Sequence, residues 1–229
     1  MCWRCWSCAG PTTHRWPDLP EPPPGRDIGL LLALEGGEGS GKSTQAARLA
    51  GRIGALLTRE PGGTELGERV RALLLDPDGV SIGPRTEALL MAAARAQHVE
   101  EVIRPALRAG RTVVTDRYIG SSLAYQGHGH GLDVDAVASL SDFAVDGVVP
   151  DVVVLLAVPA AVASARLTGR PDRLEALGTD FHLRVRQGFD SLAAADPEHW
   201  VVVDGTGEPD DVHARVWAAV SDRLSSLPH

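Results

Sequence analysis

No asparagine occurs anywhere in the 229 residues, and lysine occurs once, at Lys42. Long apolar runs are missing as well. The longest, around 30–34 and 152–158, are strand-sized and fall far short of the ~20 residues that cross a bilayer. No basic region followed by an apolar segment opens the chain, so no secretory signal is expected, and we expect a cytoplasmic protein with no membrane partner. Basic residues are also in deficit: 22 against 30 acidic ones leave a net charge of −8. Non-specific nucleic-acid binding needs a basic surface, so no nucleic-acid partner is expected. A nucleotide is not excluded, because a few arginines in a cleft set the local field whatever the net charge.

Cysteine is confined to positions 2, 5 and 8. The spacing Cys2-x2-Cys5-x2-Cys8 suggests metal binding, but a cluster run of this kind wants a fourth cysteine where Thr12 stands. Residues 1–27 also hold three of the five tryptophans and the run Pro20-Glu21-Pro22-Pro23-Pro24. Such sequence feeds neither sheet nor helix and reads as a disordered or extended N-terminal extension.

From residue 28 onward the chain has the length and patterning of one domain. The apolar fraction of 44% is ordinary for a globular protein able to bury a core. Near-continuous apolar strands at 28–35, 55–58, 112–116, 151–158 and 200–204 alternate with helical patterns, among them 42–52, 65–75 and 85–108. This alternation predicts an α/β fold, a parallel sheet with helices on both faces, with ligands at the carboxyl ends of the strands.

The segment Gly36-Gly37-Glu38-Gly39-Ser40-Gly41-Lys42-Ser43 fits G-x-x-x-x-G-K-[ST], with Thr44 after it. It follows a strand and opens a helix, the context a phosphate-binding loop requires. Backbone N–H groups and the helix N-terminus receive phosphate oxygens, Lys42 reaches the β- and γ-phosphates, and the Ser43 hydroxyl is placed to ligate Mg²⁺. Every other basic residue is arginine, so position 42 keeps a compact point charge where a planar fork would serve differently. A Ras-type GTPase reads guanine through Asn-Lys-x-Asp. A chain without asparagine, whose one lysine is committed to the loop, has no such reader.

Four further segments carry arginines or carboxylates at strand or helix ends. They are Thr58-Arg59-Glu60-Pro61-Gly62-Gly63-Thr64, the helical 89–98 with Met91 and Arg95, Asp116-Arg117-Tyr118 followed by 121–127, and 165–175. Taken singly they read as a Pro-Gly turn, a core helix, an ion pair and a charged helix end. Taken together and in this order, they resemble the thymidylate kinase family over about residues 29 to 225.

The resemblance implies a nucleoside-monophosphate-kinase fold of the P-loop type with a mobile lid at about 165–180, on a single domain of residues 28–229. It implies an ATP- and Mg²⁺-dependent enzyme converting dTMP to dTDP, acting as a homodimer. It places Arg59 and Arg117 on the acceptor phosphate, Arg95 on the base, Ser121, Ser122 and Gln126 close by, and Tyr125 against the sugar. Glu38 falls near the 3′-hydroxyl and the metal, and Asp116 joins Ser43 as a metal-side residue. Met91 stands where the family usually stacks a phenylalanine on thymine, and a thioether packs there more weakly. Residues 38–40 hold no arginine, so the lid must supply the catalytic one, as in the bacterial lid-arginine type. Arg170 is the first choice, with Arg166 beside the triphosphate. Two alternatives stay open at this point: a different monophosphate as acceptor, and a regulatory P-loop ATPase with no acceptor.

Overall fold

The structure, a computed structural model, describes residues 29–226. The N-terminal extension expected at 1–27, with its three cysteines, lies outside the described residues. Five strands form one parallel sheet in the order β2-β3-β1-β4-β5: β1 (Leu31–Glu35), β2 (Leu56–Arg59), β3 (Val113–Asp116), β4 (Val152–Ala157) and β5 (Trp200–Asp204). The central strand is buried at all five positions because both faces are covered. Leu32 and Leu34 face a core shared with α1 (Lys42–Ile53) and α9 (Pro209–Ser226). Leu31 and Ala33 face the opposite core, built with Val99, Ile103, Ala106 and Tyr118.

The strand at 200–204 has the bounds the sequence predicts, and the ends of the other strands agree or shift by up to three residues. The largest shift is at β1, which begins at Leu31, after Gly29 has turned in to donate to the Leu107 carbonyl. The helix expected over 85–108 exists as α3 (Pro84–His98) and α4 (Arg104–Arg108), joined by a π-helical stretch at Val99–Ile103. Pro105 has no N–H to give the carbonyl four residues earlier, and the widened turn falls just before it. After β3 come α5 (Ile119–Ser122), a second π-helical stretch (Leu123–Gly129) and α6 (Val134–Val145). Between α7 (Ala160–Arg166) and α8 (Thr179–Ala195) residues 167–178 form only turns and bends, in the stretch where the lid is expected. The remaining helix, α2 (Glu65–Leu75), packs on α3.

Register brings the chemistry together. Leu34 and Arg59 both pair with Asp116, so the carboxyl ends of β1, β2 and β3 lie side by side. From β1 the chain runs to the edge strand β2, returns to β3 beside β1 and then crosses to β4 on the other side, so connections leave the adjacent strands β1 and β3 in opposite directions, with the loop after β1 at that point.

Candidate active site

The loop at 36–41 is shaped by glycine where nothing else fits. Gly39 has φ +70, and a Cβ there would lie 2.2 Å from the carbonyl oxygen of Ala163. Gly41 caps α1 in the left-handed conformation with no side-chain hydrogen bond, leaving the first N–H groups of the helix open to an anion. Lys42 is buried with its ammonium 3.4 Å from the Gly37 carbonyl and 3.8 Å from Glu38. Burial, and then the neighbouring Arg117, hold its pKa below the ordinary lysine range. An incoming polyphosphate relieves both effects by supplying the opposite charge. Thr44 is exposed beside it on the first turn of α1.

The Ser43 hydroxyl donates to Asp116 Oδ2, while Asp116 Oδ1 is buried without a hydrogen-bond partner. No group of three or more His, Cys, Asp and Glu ligands occurs among the described residues. A hydroxyl and a single carboxylate are the donor set Mg²⁺ uses when it keeps its waters and takes its remaining ligands from phosphate. The pair fits the ion.

A tight cluster joins the loop to the space beside it. Arg117 donates to Glu38 Oε1, to the Gly36 carbonyl at 3.3 Å, to Ser121 Oγ at 3.1 Å and to the Tyr125 hydroxyl at 3.1 Å. Its guanidinium also sits 4.9 Å from the centre of the Tyr125 ring, within cation–π range. Tyr125 donates in turn to Glu38 at 2.7 Å. Burial alone would raise the Glu38 carboxyl, but Arg117 and Lys42 outweigh it and bring the pKa down to about 2. Glu38 is therefore an anion at any working pH: it holds cations and accepts hydrogen bonds, and it is no general acid.

A cavity of about 430 Å³ opens from this cluster. Its lining includes Arg59, Arg71 and Arg117 together with Met91, Arg95, Ser122 and Gln126. Every acceptor-side residue expected from the sequence borders this one space. Arg59 and Arg95 are held by partners outside the Glu38–Arg117–Tyr125 cluster. Arg59 Nη2 donates to both carboxylate oxygens of Glu68, each at 2.9 Å. Arg95 is buried and donates to Glu60 at 2.7 Å, to the Tyr118 carbonyl at 3.0 Å and to Ser122 at 3.0 Å. Only its Nη1 is loosely held, at 3.5 Å from Ser141, so that nitrogen has donor capacity to spare.

The three arginines at 166–173 have different attachments. Arg166 donates to the carbonyls of Gly39 and Ser40 at 3.4 Å, beside the phosphate loop. Arg173 is tied down by Glu87, itself fully buried, and by the Leu74 carbonyl at 2.6 Å. Arg170 departs from the expected position. It lies outside both cavities, in a two-pronged pair with Asp78 at 2.6 and 2.8 Å, and both partners are exposed. Asp78 lies on the α2–α3 connection. A second cavity of about 530 Å³ lies on the other flank of the loop, under residues 167–178.

Comparison with known proteins decides what this arrangement serves. A family model described as thymidylate kinase matches residues 34–216. The chain belongs to the thymidylate kinase family. A thymidylate kinase of Deinococcus radiodurans is 50% identical over 202 residues, covering 85% of this chain and 98% of the relative. A thymidylate kinase from a Synechococcus strain is 48% identical over 200 residues, covering 85% and 96%. The crystal structure of thymidylate kinase from Ehrlichia chaffeensis aligns with a TM-score of 0.71 and 31% identity, over 85% of this chain and 99% of that one. The reaction is the transfer of the γ-phosphoryl group of ATP to dTMP, giving dTDP for DNA precursor synthesis. This sets aside the regulatory ATPase left open by the phosphate loop alone.

Some of the thymidylate kinase site was not legible in the sequence. Arg71 reads as one more polar position on an amphipathic helix, yet it reaches the Pro61 carbonyl at 3.1 Å and lines the acceptor cavity. Glu60 lies inside a segment singled out for its arginine, and only folding shows it bracing Arg95 and His98, at 2.9 Å from the latter. Glu87 gathers Arg173, Gln126 at 2.8 Å and His130 at 3.0 Å, from segments 39 to 86 residues away. Glu35 ends β1 inside the core, and burial pushes its carboxyl up to about 7. A carboxylate closing an otherwise apolar strand was the one available signal for it.

Proposed function

We propose that dTMP occupies the 430 Å³ cavity with its phosphate toward Arg59, Arg71 and Arg117 and its base toward Met91, Arg95 and Gln126, while ATP lies along the loop at 36–43. The observation that carries this reading is the Glu38–Arg117–Tyr125 cluster, because it is at once a wall of the cavity and an edge of the phosphate loop. An acceptor phosphate held by Arg117 faces a γ-phosphate held by Lys42, the in-line arrangement that phosphoryl transfer needs. One oxygen of the acceptor phosphate attacks the γ-phosphorus, and the β–γ bridging oxygen leaves with ADP.

No strong base is required, since the attacking phosphate is already anionic at neutral pH. Catalysis then rests on positioning and charge neutralisation. Ser43 and Asp116 would hold Mg²⁺, which supplies charge neutralisation to the phosphates. Residues 167–178 form the lid, and its closure excludes water so that ATP is not hydrolysed. Tyr125, packed edge-on against Phe181 and Phe189 at 6.1 and 6.3 Å, presents a fixed wall to the sugar and disfavours a 2′-hydroxyl.

A homodimer and a cytoplasmic location complete the reading. Phe143 on α6 is 86% exposed and Leu89 on α3 57% exposed, on helices that pack together. A second copy would cover this apolar surface, and no helix among the described residues is long and apolar enough to cross a membrane.

Met91 tests the orientation of the acceptor. It lines the cavity and packs against Val70 and Leu74, so its thioether sits at the edge of the base position. Met91→Phe is expected to lower the KM for dTMP about threefold with the KM for ATP unchanged, the gain of one ring-on-ring contact. Steady-state kinetics with each substrate varied in turn checks this. An unchanged KM for dTMP would place residue 91 in the core and turn the proposed acceptor around.

A further inference from the structure

Arg117 occupies an unusual position for a residue assigned to substrate. Its φ is +72, in the left-handed region that a long side chain seldom adopts. Something must hold the backbone there and aim the guanidinium. The Arg117 N–H donates to the Leu34 carbonyl at 2.9 Å, which anchors one side of the turn. The other side is held by Glu35, a carboxylate from the next residue of β1.

Glu35 Oε1 accepts the backbone N–H of Tyr118 at 2.9 Å and that of Ser121 at 3.0 Å. Its Oε2 accepts the Ser121 hydroxyl at 2.6 Å. A hydroxyl has one proton to give and two lone pairs to receive with. With the carboxyl ionised, the Ser121 proton is committed to Glu35, its lone pairs point outward, and Arg117 Nη1 donates to them at 3.1 Å. The direction of the first bond sets the polarity of the second. The space around the carboxylate is also closed: a Cβ on Gly120 would approach Glu35 Oε1 to 2.9 Å and Trp200 to 2.7 Å.

We propose that Glu35 is a positioning residue for the acceptor site: through the Ser121 hydroxyl and the 118–121 turn it fixes where Arg117 presents its guanidinium. The inference rests on Arg117 being the acceptor-phosphate ligand. Glu35 itself touches neither substrate. Its backbone bonds keep the strained turn in place, and its bond to Ser121 keeps an acceptor aimed at Arg117. The charged groups that interact with it are Arg117, just after β3, and Lys42 on α1, the two cations that border the cavity and the phosphate loop.

Glu35→Gln is the nearest isostere. Its amide oxygen can still accept the two backbone N–H groups, but its NH₂ group then faces Ser121 Oγ and donates to it. The hydroxyl proton must turn elsewhere, and the acceptor offered to Arg117 is disturbed. The experiment measures KM for dTMP and for ATP in Glu35→Gln, Ser121→Ala, the double variant and Arg117→Ala. Expected are a rise of about tenfold in the KM for dTMP in each of the first two, the loss of one charge-assisted hydrogen bond, with the KM for ATP within about twofold. The double variant should be no worse than the more affected single one, because both break the same link.

Ser121→Ala leaves the buried carboxylate in place and keeps the test open if Glu35→Gln fails to fold. Multiplying effects, or parallel rises in both KM values, would mean a merely structural carboxylate and overturn the proposal. If Arg117→Ala raises the KM for dTMP while Glu35→Gln and Ser121→Ala do not, the positioning claim fails alone. An unchanged KM for dTMP in Arg117→Ala would remove the ligand assignment and the proposal with it.

Discussion

Replacing Arg170 with alanine is expected to lower kcat by about 10³-fold or more, the scale on which an arginine stabilises a transferring phosphoryl group. Calorimetric titration should find dTMP affinity changed by less than about twofold, since Arg170 lies outside the acceptor cavity. The argument is one of availability. Arg166 is occupied by carbonyls of the phosphate loop, and Arg173 by buried Glu87 and the Leu74 carbonyl. Arg170 is held by an exposed carboxylate, Asp78, and ion pairs at the surface hold their partners weakly. A γ-phosphate competes easily with that. Among the three, Arg170 has the least to give up when the lid closes. A near-normal kcat in Arg170→Ala would move the catalytic role to Arg166, which already lies against the loop.

Lys42→Ala should reduce kcat by about 10²–10³-fold, as removal of one preorganised electrostatic partner does elsewhere. Lys42→Arg should fail to restore it. The ammonium sits in a buried slot between the Gly37 carbonyl and Glu38, and burial has already depressed its pKa. The slot accepts a point charge with freely rotating donors, whereas a guanidinium is wider, planar and fixed in its donor directions. Rapid-quench measurement of a single turnover separates the chemical step from product release. Full recovery by arginine would mean that only the sign of the charge matters at position 42, and would remove the physical reason for the sole lysine in the chain.

The fold was legible where burial dictates composition. β1, β3 and β4 are strands covered on both faces, so they appear as apolar runs, and the helices between them forced a parallel sheet. The break in the 85–108 helix was harder to see, because the widened turn at Val99–Ile103 keeps the apolar face almost continuous. In the site, residues whose role depends on local sequence were visible: the phosphate loop and the strand-end arginines. Residues that act through distant partners were not. Glu35 meets Tyr118 and Ser121 across 83 and 86 positions, and Glu87 meets Arg173 across 86. No spacing in one sequence encodes such contacts; they exist only once β1 and β3 pair and α3 packs.

Arg170 departed for a different reason. Sequence places a side chain on a segment, while its partner at a given moment depends on which charge is nearest.

The central claim is that ATP is consumed here only when the cavity holds dTMP. The most direct test is a coupled ADP-release assay with ATP and Mg²⁺, run with dTMP, with dCMP, with other monophosphates and with no acceptor. The account predicts rapid ADP release with dTMP, at least about tenfold slower release with dCMP, and almost none without acceptor. Equal turnover of dTMP and dCMP, or ADP release that needs no acceptor at all, would contradict it.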